Sequence, residues 1–378
     1  MGEFFWAGAR RDLWRGATLG MGEGQSMDHP FIMELASVAL GNGASDLFLA
    51  EGAPARFKVG GMMQESVGRE VSREDLAAFW RSCGADPGEQ MDVDAAWQMP
   101  GGPRFRVNLH RHLGRLGAVL RQIRTQVPTM EALGLPEDLL VPWLERRSGL
   151  ILVTGPTGCG KSTTMAACLE WVNCTRAAHV VTIEDPVEFV FQDRASFFTQ
   201  REVGLDTATF ADGLRRAMRQ APDIIFVGEI RDAATAQIAL QAAETGHLVC
   251  STLHSPNVAE TIDRLVHLVG PQEREGMLSL LAHQTIGILS QRLLPGVEEG
   301  RVSLVCEALE VEGAARDWLR AMDIPALADF MRRGGNPRNR SYQQALVGAV
   351  QEGRVSYEVA LAAAPNAAEF SRAMRGIS

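Results

Sequence analysis

Residues 155 to 163 read GPTGCGKST, and the pattern G-x-x-x-x-G-K-[ST] serves one chemistry, the gripping of nucleotide phosphates. Gly155, Gly158 and Gly160 carry no side chain that would stop backbone N–H groups from curling round an anion. Pro156, Thr157 and Cys159 fill the loop between them. Lys161 can reach the outer phosphates, and Ser162, followed by Thr163, can offer a hydroxyl to Mg2+. The context agrees: the apolar run GLILVT leads in, and TTMAACLEWV, with helical spacing, leads out, so the positive end of a helix faces the same anion. Cys159 stands where a helix begins and a thiolate is favoured. A reactive thiol is one reading; the other is a small tolerated residue whose backbone N–H is what a phosphate meets.

Hydrolysis also needs acids. A strand that ends in Asp commonly holds Mg2+ in such proteins. Here DIIFVGE ends in Gly228 and Glu229, and Asp223 lies at the wrong end, roughly 20 Å away at ~3.3 Å per residue. Glu229 is therefore the candidate for polarising the attacking water. TIEDPVEF supplies Glu184 and Asp185 at the end of another buried run. Glu184 either helps the metal or caps the following turn.

Two histidines flank the stretch HLVCSTLH. A strand of that length separates His247 from His254 by roughly 20 Å, so the pair cannot share a zinc ion. Ligands of parallel α/β sheets gather at the carboxyl ends of the strands. That places His254 beside Lys161 and Glu229 and leaves His247 at the amino end, in a structural or a coupling role.

The elements that must position these groups fall into blocks. Residues 1–26 are glycine-rich and unpatterned and read as a flexible extension, with Met27 as a second start and Phe4, Phe5, Trp6 and Trp14 as a minor membrane-touching reading. Residues 27–125 read as a small α+β domain: FIMELASVAL is helical, SDLFLAEG and ARFKVGGMMQ are strands turning at Gly60-Gly61, Ser72 opens a helix, and RFRVNLHRH alternates strictly. Residues 126–148 form a proline-rich linker. Across residues 149–255, GLILVTG, HVVTIED, DIIFVGE and HLVCSTL are near-continuous apolar runs of the kind buried on both faces of a parallel sheet. RDAATAQIALQAAETG is a helix stopped at Gly246. Residues 256–378 read as helical, with Ser255 as cap and Pro256 in the first turn.

Composition narrows the class. The chain has 378 residues, 46% hydrophobic and 22% charged, which suits two or three folded domains. Its net charge of −9 argues against nucleic acid as partner. The six cysteines form no C-x-x-C pair and suggest neither a disulfide scaffold nor a zinc site, so a cytoplasmic setting fits. No run approaches the length of a membrane-spanning helix.

Taken in order, GASDLFL, RFRVN, the phosphate loop, TIEDPVEF, TQREVGLDTATF, RQAPDIIFVGEIRD and TGHLVCSTLH resemble the secretion-ATPase superfamily, and within it the type IV pilus retraction ATPases of the PilT/PilU family. The resemblance runs from about residue 27 to the end. It implies an N-terminal PAS-like domain, a RecA-like P-loop ATPase domain with a helical C-terminal region, ATP and Mg2+ as ligands, and a homo-hexameric ring. It also implies that Glu184, Glu229, His247 and His254 are functional and that Arg106, Arg121 and Arg201 reach nucleotide across or within subunits. The partner implied is an inner-membrane pilus platform protein, with the ring peripheral to that membrane on the cytoplasmic side.

The chain departs from the family pattern at Cys159, where serine is usual. It departs again at ALADFM, residues 326 to 331, which replaces a segment similar to Ala-Ile-Arg-Asn-Leu-Ile, and in the short connection after it. These departures favour a PilU-like, accessory motor working with a second retraction ATPase. The competing readings are a pilus assembly or type II secretion ATPase, a DNA translocase, and a non-catalytic ring subunit.

Overall fold

The computed structural model of the protein describes residues 29–376, apart from 67, 125, 299 and 334–337. The expectations for residues 1–26 and for Met27 lie outside the described residues. The chain divides into two units, Met1–Gln122 and Ile123–Ser378.

The first unit is a small α+β domain. Helix α1 (Pro30–Gly41) precedes strands β1 (Asp46–Ala50), β2 (Arg56–Val59) and β3 (Met62–Glu65); helix α2 (Arg73–Ser82) follows, then β4 (Asp92–Gln98), β5 (Arg104–His112) and β6 (Arg115–Gln122). The strands form one antiparallel sheet in the order β3-β2-β1-β6-β5-β4. Gly60 and Gly61 both take positive φ, 57° and 82°, at the β2–β3 turn, as the sequence signal required. Ser72 caps α2 in a reciprocal box with Asp75. The alternation of β5 sends Phe105, Val107 and Leu109 into the core beneath Leu76, Phe79 and Trp80 of α2. Strand β4 had no sequence forecast, because DVDAAWQ carries three polar residues and its burial is partial.

The second unit is built on a seven-stranded sheet. Its elements are α3 (Glu137–Leu144), β7 (Gly149–Thr154), α4 (Lys161–Thr175), β8 (His179–Glu184), β9 (Phe197–Glu202), α5 (Phe210–Ala217), β10 (Ile224–Val227), α6 (Ala233–Glu244), β11 (Leu248–Leu253), α7 (Val258–His267), α8 (Arg274–Gln284), β12 (Thr285–Pro295), β13 (Val302–Glu310), α9 (Ala314–Arg320), α10 (Ile324–Arg333), α11 (Tyr342–Gln351), α12 (Tyr357–Ala363) and α13 (Ala367–Met374). The strand order is β13-β12-β7-β11-β10-β8-β9, parallel except for the β12–β13 hairpin.

The four apolar runs are the central strands β7, β8, β10 and β11. Every residue of β7 is buried. Leu150 and Leu152 enter one core while Ile151 and Val153 enter another. The two-residue period thus feeds both faces of the sheet, which is why the run needs no polar position. Gly246 follows α6 with φ +103°, the left-handed stop its position predicted.

Two expectations fail here. The region after residue 255 is not helical throughout: β12 and β13 extend the sheet, β12 pairing in parallel with β7. Helix α7 is capped by Asn257, whose side chain accepts from Glu260 N–H, with Pro256 outside the helix. Ser255 Oγ instead lies 2.7 Å from Thr261 Oγ1.

Candidate active site

The carboxyl ends of β7, β8, β10 and β11 open onto a pocket of about 400 Å³. The loop 155–160 forms its floor. Gly155, Gly158 and Gly160 take φ of 147°, 80° and 87°, a run that side chains rarely permit. At Gly155 a Cβ would lie 2.3 Å from the carbonyl oxygen of Gln291 on β12, so glycine is required there by contact as well. Helix α4 then starts at Lys161, its N-terminus aimed into the pocket that Thr157, Ser162 and Thr163 also line.

Lys161 is buried and its ammonium donates to Gly155 O at 3.0 Å, Pro156 O at 3.1 Å and His254 Nδ1 at 3.1 Å. Burial holds its pKa below the usual lysine range. Accepting from an ammonium requires an unprotonated Nδ1, which assigns the His254 proton to Nε2. That nitrogen faces Glu229 Oε1 at 3.5 Å. Burial, followed by the Lys161 charge, lowers the His254 pKa, so the neutral ring is favoured. Lys161, His254 and Glu229, from three separate elements, therefore meet at one point.

Glu229 is buried, and its Oε2 accepts from Arg231 Nε at 2.8 Å. Arg231 Nη1 also donates to Asp185 Oδ2 at 3.0 Å. Bonding to Glu229 raises the pKa of an already basic guanidinium. Glu184 is buried at the end of β8, where its Oε1 accepts from Thr182 Oγ1 at 2.6 Å and Gln200 Nε2 at 3.2 Å. Desolvation outweighs those bonds and raises its pKa to about 7. Its carboxylate thus meets side chains from β8 and β9. Asp223 sits at the opposite end of β10, accepting from His179 N–H at 2.8 Å.

His247 stands at the start of β11, its Nδ1 3.0 Å from Ala242 O. Arg201, on the edge strand β9, donates from Nη2 to Asp206 O at 2.9 Å. Neither lines the pocket. Arg106 and Arg121 belong to the first unit, where they face each other across β5 and β6, and Arg121 Nε bonds Asp46 Oδ1 at 2.7 Å.

Of the two readings of Cys159, the structure favours the small tolerated residue over the reactive thiol. It is 4% exposed, and burial raises its pKa, overriding the helix terminus. Two contributors had gone unnamed in the sequence: Arg231, and Gln291, whose Nε2 donates to Cys159 O at 2.6 Å. Arg231 was visible in GEIRD, two positions from Glu229. Gln291 lay in a segment read as helix.

The residues fit a magnesium nucleotide. The left-handed glycine cradle, the buried ammonium and the helix N-terminus suit phosphates. Ser162 and the acids Glu184 and Glu229 offer the oxygen donors that Mg2+ prefers.

The chain is similar to known proteins. The family model described as type II/IV secretion system protein matches residues 22–321. The type IV pilus retraction ATPase PilT of Pseudomonas aeruginosa is 38% identical over 332 residues, 86% of this chain and 96% of that protein. The type IV pilus ATPase PilU of the same organism is 35% identical over 340 residues, 88% of each. A crystal structure of the pilus retraction motor PilT with bound ADP superposes with a TM-score of 0.82 at 37% identity, covering 90% of this chain and 99% of that one.

Proposed function

The chain belongs to the type II/IV secretion system protein family, and from that premise we propose that it is the ATP-hydrolysing motor of type IV pilus retraction. The observation that carries this reading is the meeting of Lys161, His254 and Glu229 over the phosphate loop. The retraction ATPases it matches along nearly their whole length support the motor's task.

In this reading the loop N–H groups and Lys161 hold the phosphates. Ser162, with help from Glu184, would hold Mg2+, which would supply positive charge to the departing diphosphate. Glu229 takes the proton of the water that attacks the terminal phosphorus, the bond to the ADP oxygen breaks, and inorganic phosphate leaves. His254, neutral and donating from Nε2, orients the Glu229 carboxylate and links it to Lys161. His247, at the far end of β11, couples or supports that strand.

Work on a pilus requires more than one subunit. The chain acts as a homo-hexameric ring, peripheral to the inner membrane on the cytoplasmic side and docked on a pilus platform protein. Arg106, Arg121 and Arg201 are the candidates for completing nucleotide sites within or between subunits. The departures at ALADFM favour an accessory motor that shares its task with a second retraction ATPase.

Glu229→Gln keeps size and hydrogen bonding but removes the base, so turnover should fall roughly 10²–10⁴-fold with ATP binding retained. In cells, a deletion should leave long pili with weakened twitching. Absence of pili would instead identify an assembly motor, and Glu229→Gln turnover within a few-fold of wild type would remove the base from this scheme.

A further inference from the structure

The Arg231 side chain touches two acids of the pocket, each just beyond the end of a different strand. Its Nε donates to Glu229 Oε2 at 2.8 Å and its Nη1 to Asp185 Oδ2 at 3.0 Å. Glu229 follows β10 and Asp185 follows β8, so the guanidinium bridges the carboxyl ends of neighbouring strands.

The backbone presents Arg231 for this purpose. Between Glu229 and Arg231, Ile230 is 1% exposed in the core. Ile230 N–H bonds Thr252 O at 3.1 Å, tying the segment to β11. Immediately after, Asp232 caps α6 by accepting from Thr235 N–H at 2.8 Å. Arg231 is thus pinned on both sides, with its side chain free to reach across the pocket mouth.

We propose that Arg231 is a positioning residue for hydrolysis: it fixes the orientation of the Glu229 carboxylate and is itself anchored by Asp185. One Glu229 oxygen is taken by the guanidinium, and the other is turned toward His254 and the phosphate loop. A planar fork suits this task, since two donors in fixed geometry set an angle that a single ammonium cannot. The guanidinium is half exposed, which weakens the pair as a source of stability. Its use is directional. The proposal rests on Glu229 as the base.

The test compares purified Arg231→Gln, Arg231→Lys, Asp185→Asn, Arg231→Gln/Asp185→Asn and Glu229→Gln with wild type, measuring kcat, KM for ATP and thermal melting. Misorientation of a reacting group by about 1 Å can cost ~10²-fold, so Arg231→Gln should lower kcat by roughly 10- to 100-fold. KM and melting temperature should stay close to wild type. Arg231→Lys, which keeps the charge without the fork, should recover only part of kcat. Asp185→Asn should lose less than Arg231→Gln and add nothing to it, since the two act as one unit. A dead Glu229→Gln beside an Arg231→Gln protein with wild-type kcat overturns this proposal alone. So does Asp185→Asn exerting its full effect in the Arg231→Gln background, or a loss confined to KM. A Glu229→Gln protein that still turns over removes the base, and this proposal with it.

Discussion

Glu184 gives the protein a stability that depends on pH in a direction opposite to that of most carboxylates. Its pKa rises from 4.5 to about 7 because burial costs the charged form more than the Thr182 and Gln200 hydrogen bonds return. Between those two values the folded protein holds a proton that the unfolded chain releases. The corresponding stability is fully present below pH 4.5, is lost as pH rises, and levels off above about 7. At about 1.36 kcal/mol per pH unit, the span amounts to about 3 kcal/mol. Glu184→Gln keeps an oxygen to accept from Thr182 and Gln200 and removes the titration. The assay is chemical denaturation of both proteins, without nucleotide, at pH values from 5 to 8.5. The stability of the variant relative to wild type should grow by about 2–3 kcal/mol across that range, most of it below pH 7.5. A constant offset between the two proteins would be set by packing and is immaterial; the slope carries the claim. A difference that stays flat, or that shrinks as pH rises, would refute a buried Glu184 titrating near neutrality.

Two further substitutions probe the loop itself. A thiol reagent at neutral pH should label exposed Cys174 before buried Cys159 and leave ATPase activity intact; inactivation that Cys159→Ser prevents would show that the thiol is accessible after all. Gln291→Met keeps volume but removes the bond to Cys159 O, a loss of about 1 kcal/mol, so ATP affinity should fall roughly fivefold in a nucleotide titration. Unchanged affinity would mean that the loop holds its shape without Gln291.

How much of this was legible in the sequence depends on how local each signal is. The phosphate loop is written in nine consecutive residues, and its glycines declare a left-handed backbone run directly in the sequence. Glu229 and His254 were legible because each ends a buried apolar run, and parallel strands bring their carboxyl ends to one edge. Arg231 was in plain view, but its second partner, Asp185, is 46 positions away, and no spacing rule connects them. Cys159 went the other way: the helix-terminus rule favoured a thiolate, and packing against Gly155 and Gln291 overrode it.

The misread segment TIGILSQRLLP is the most instructive case, because its apolar positions suit a helix as well as a strand. What makes it β12 is its neighbours: β7 on one side and β13 on the other supply the backbone partners. The choice has a consequence for the site. With β12 as a strand, Gln291 lies directly under the phosphate loop, so close that Gly155 can carry no Cβ. The same strand runs on into the hairpin with β13. Helix α10, which holds ALADFM, sends Leu327 and Met331 into the core shared by Leu152 of β7 and Leu253 of β11. The nucleotide loop and helix α10 are therefore supported by one sheet and one core. A substitution in α10 that changes core volume is felt at the strands that carry His254 and the phosphate loop, because a close-packed interior passes on such changes.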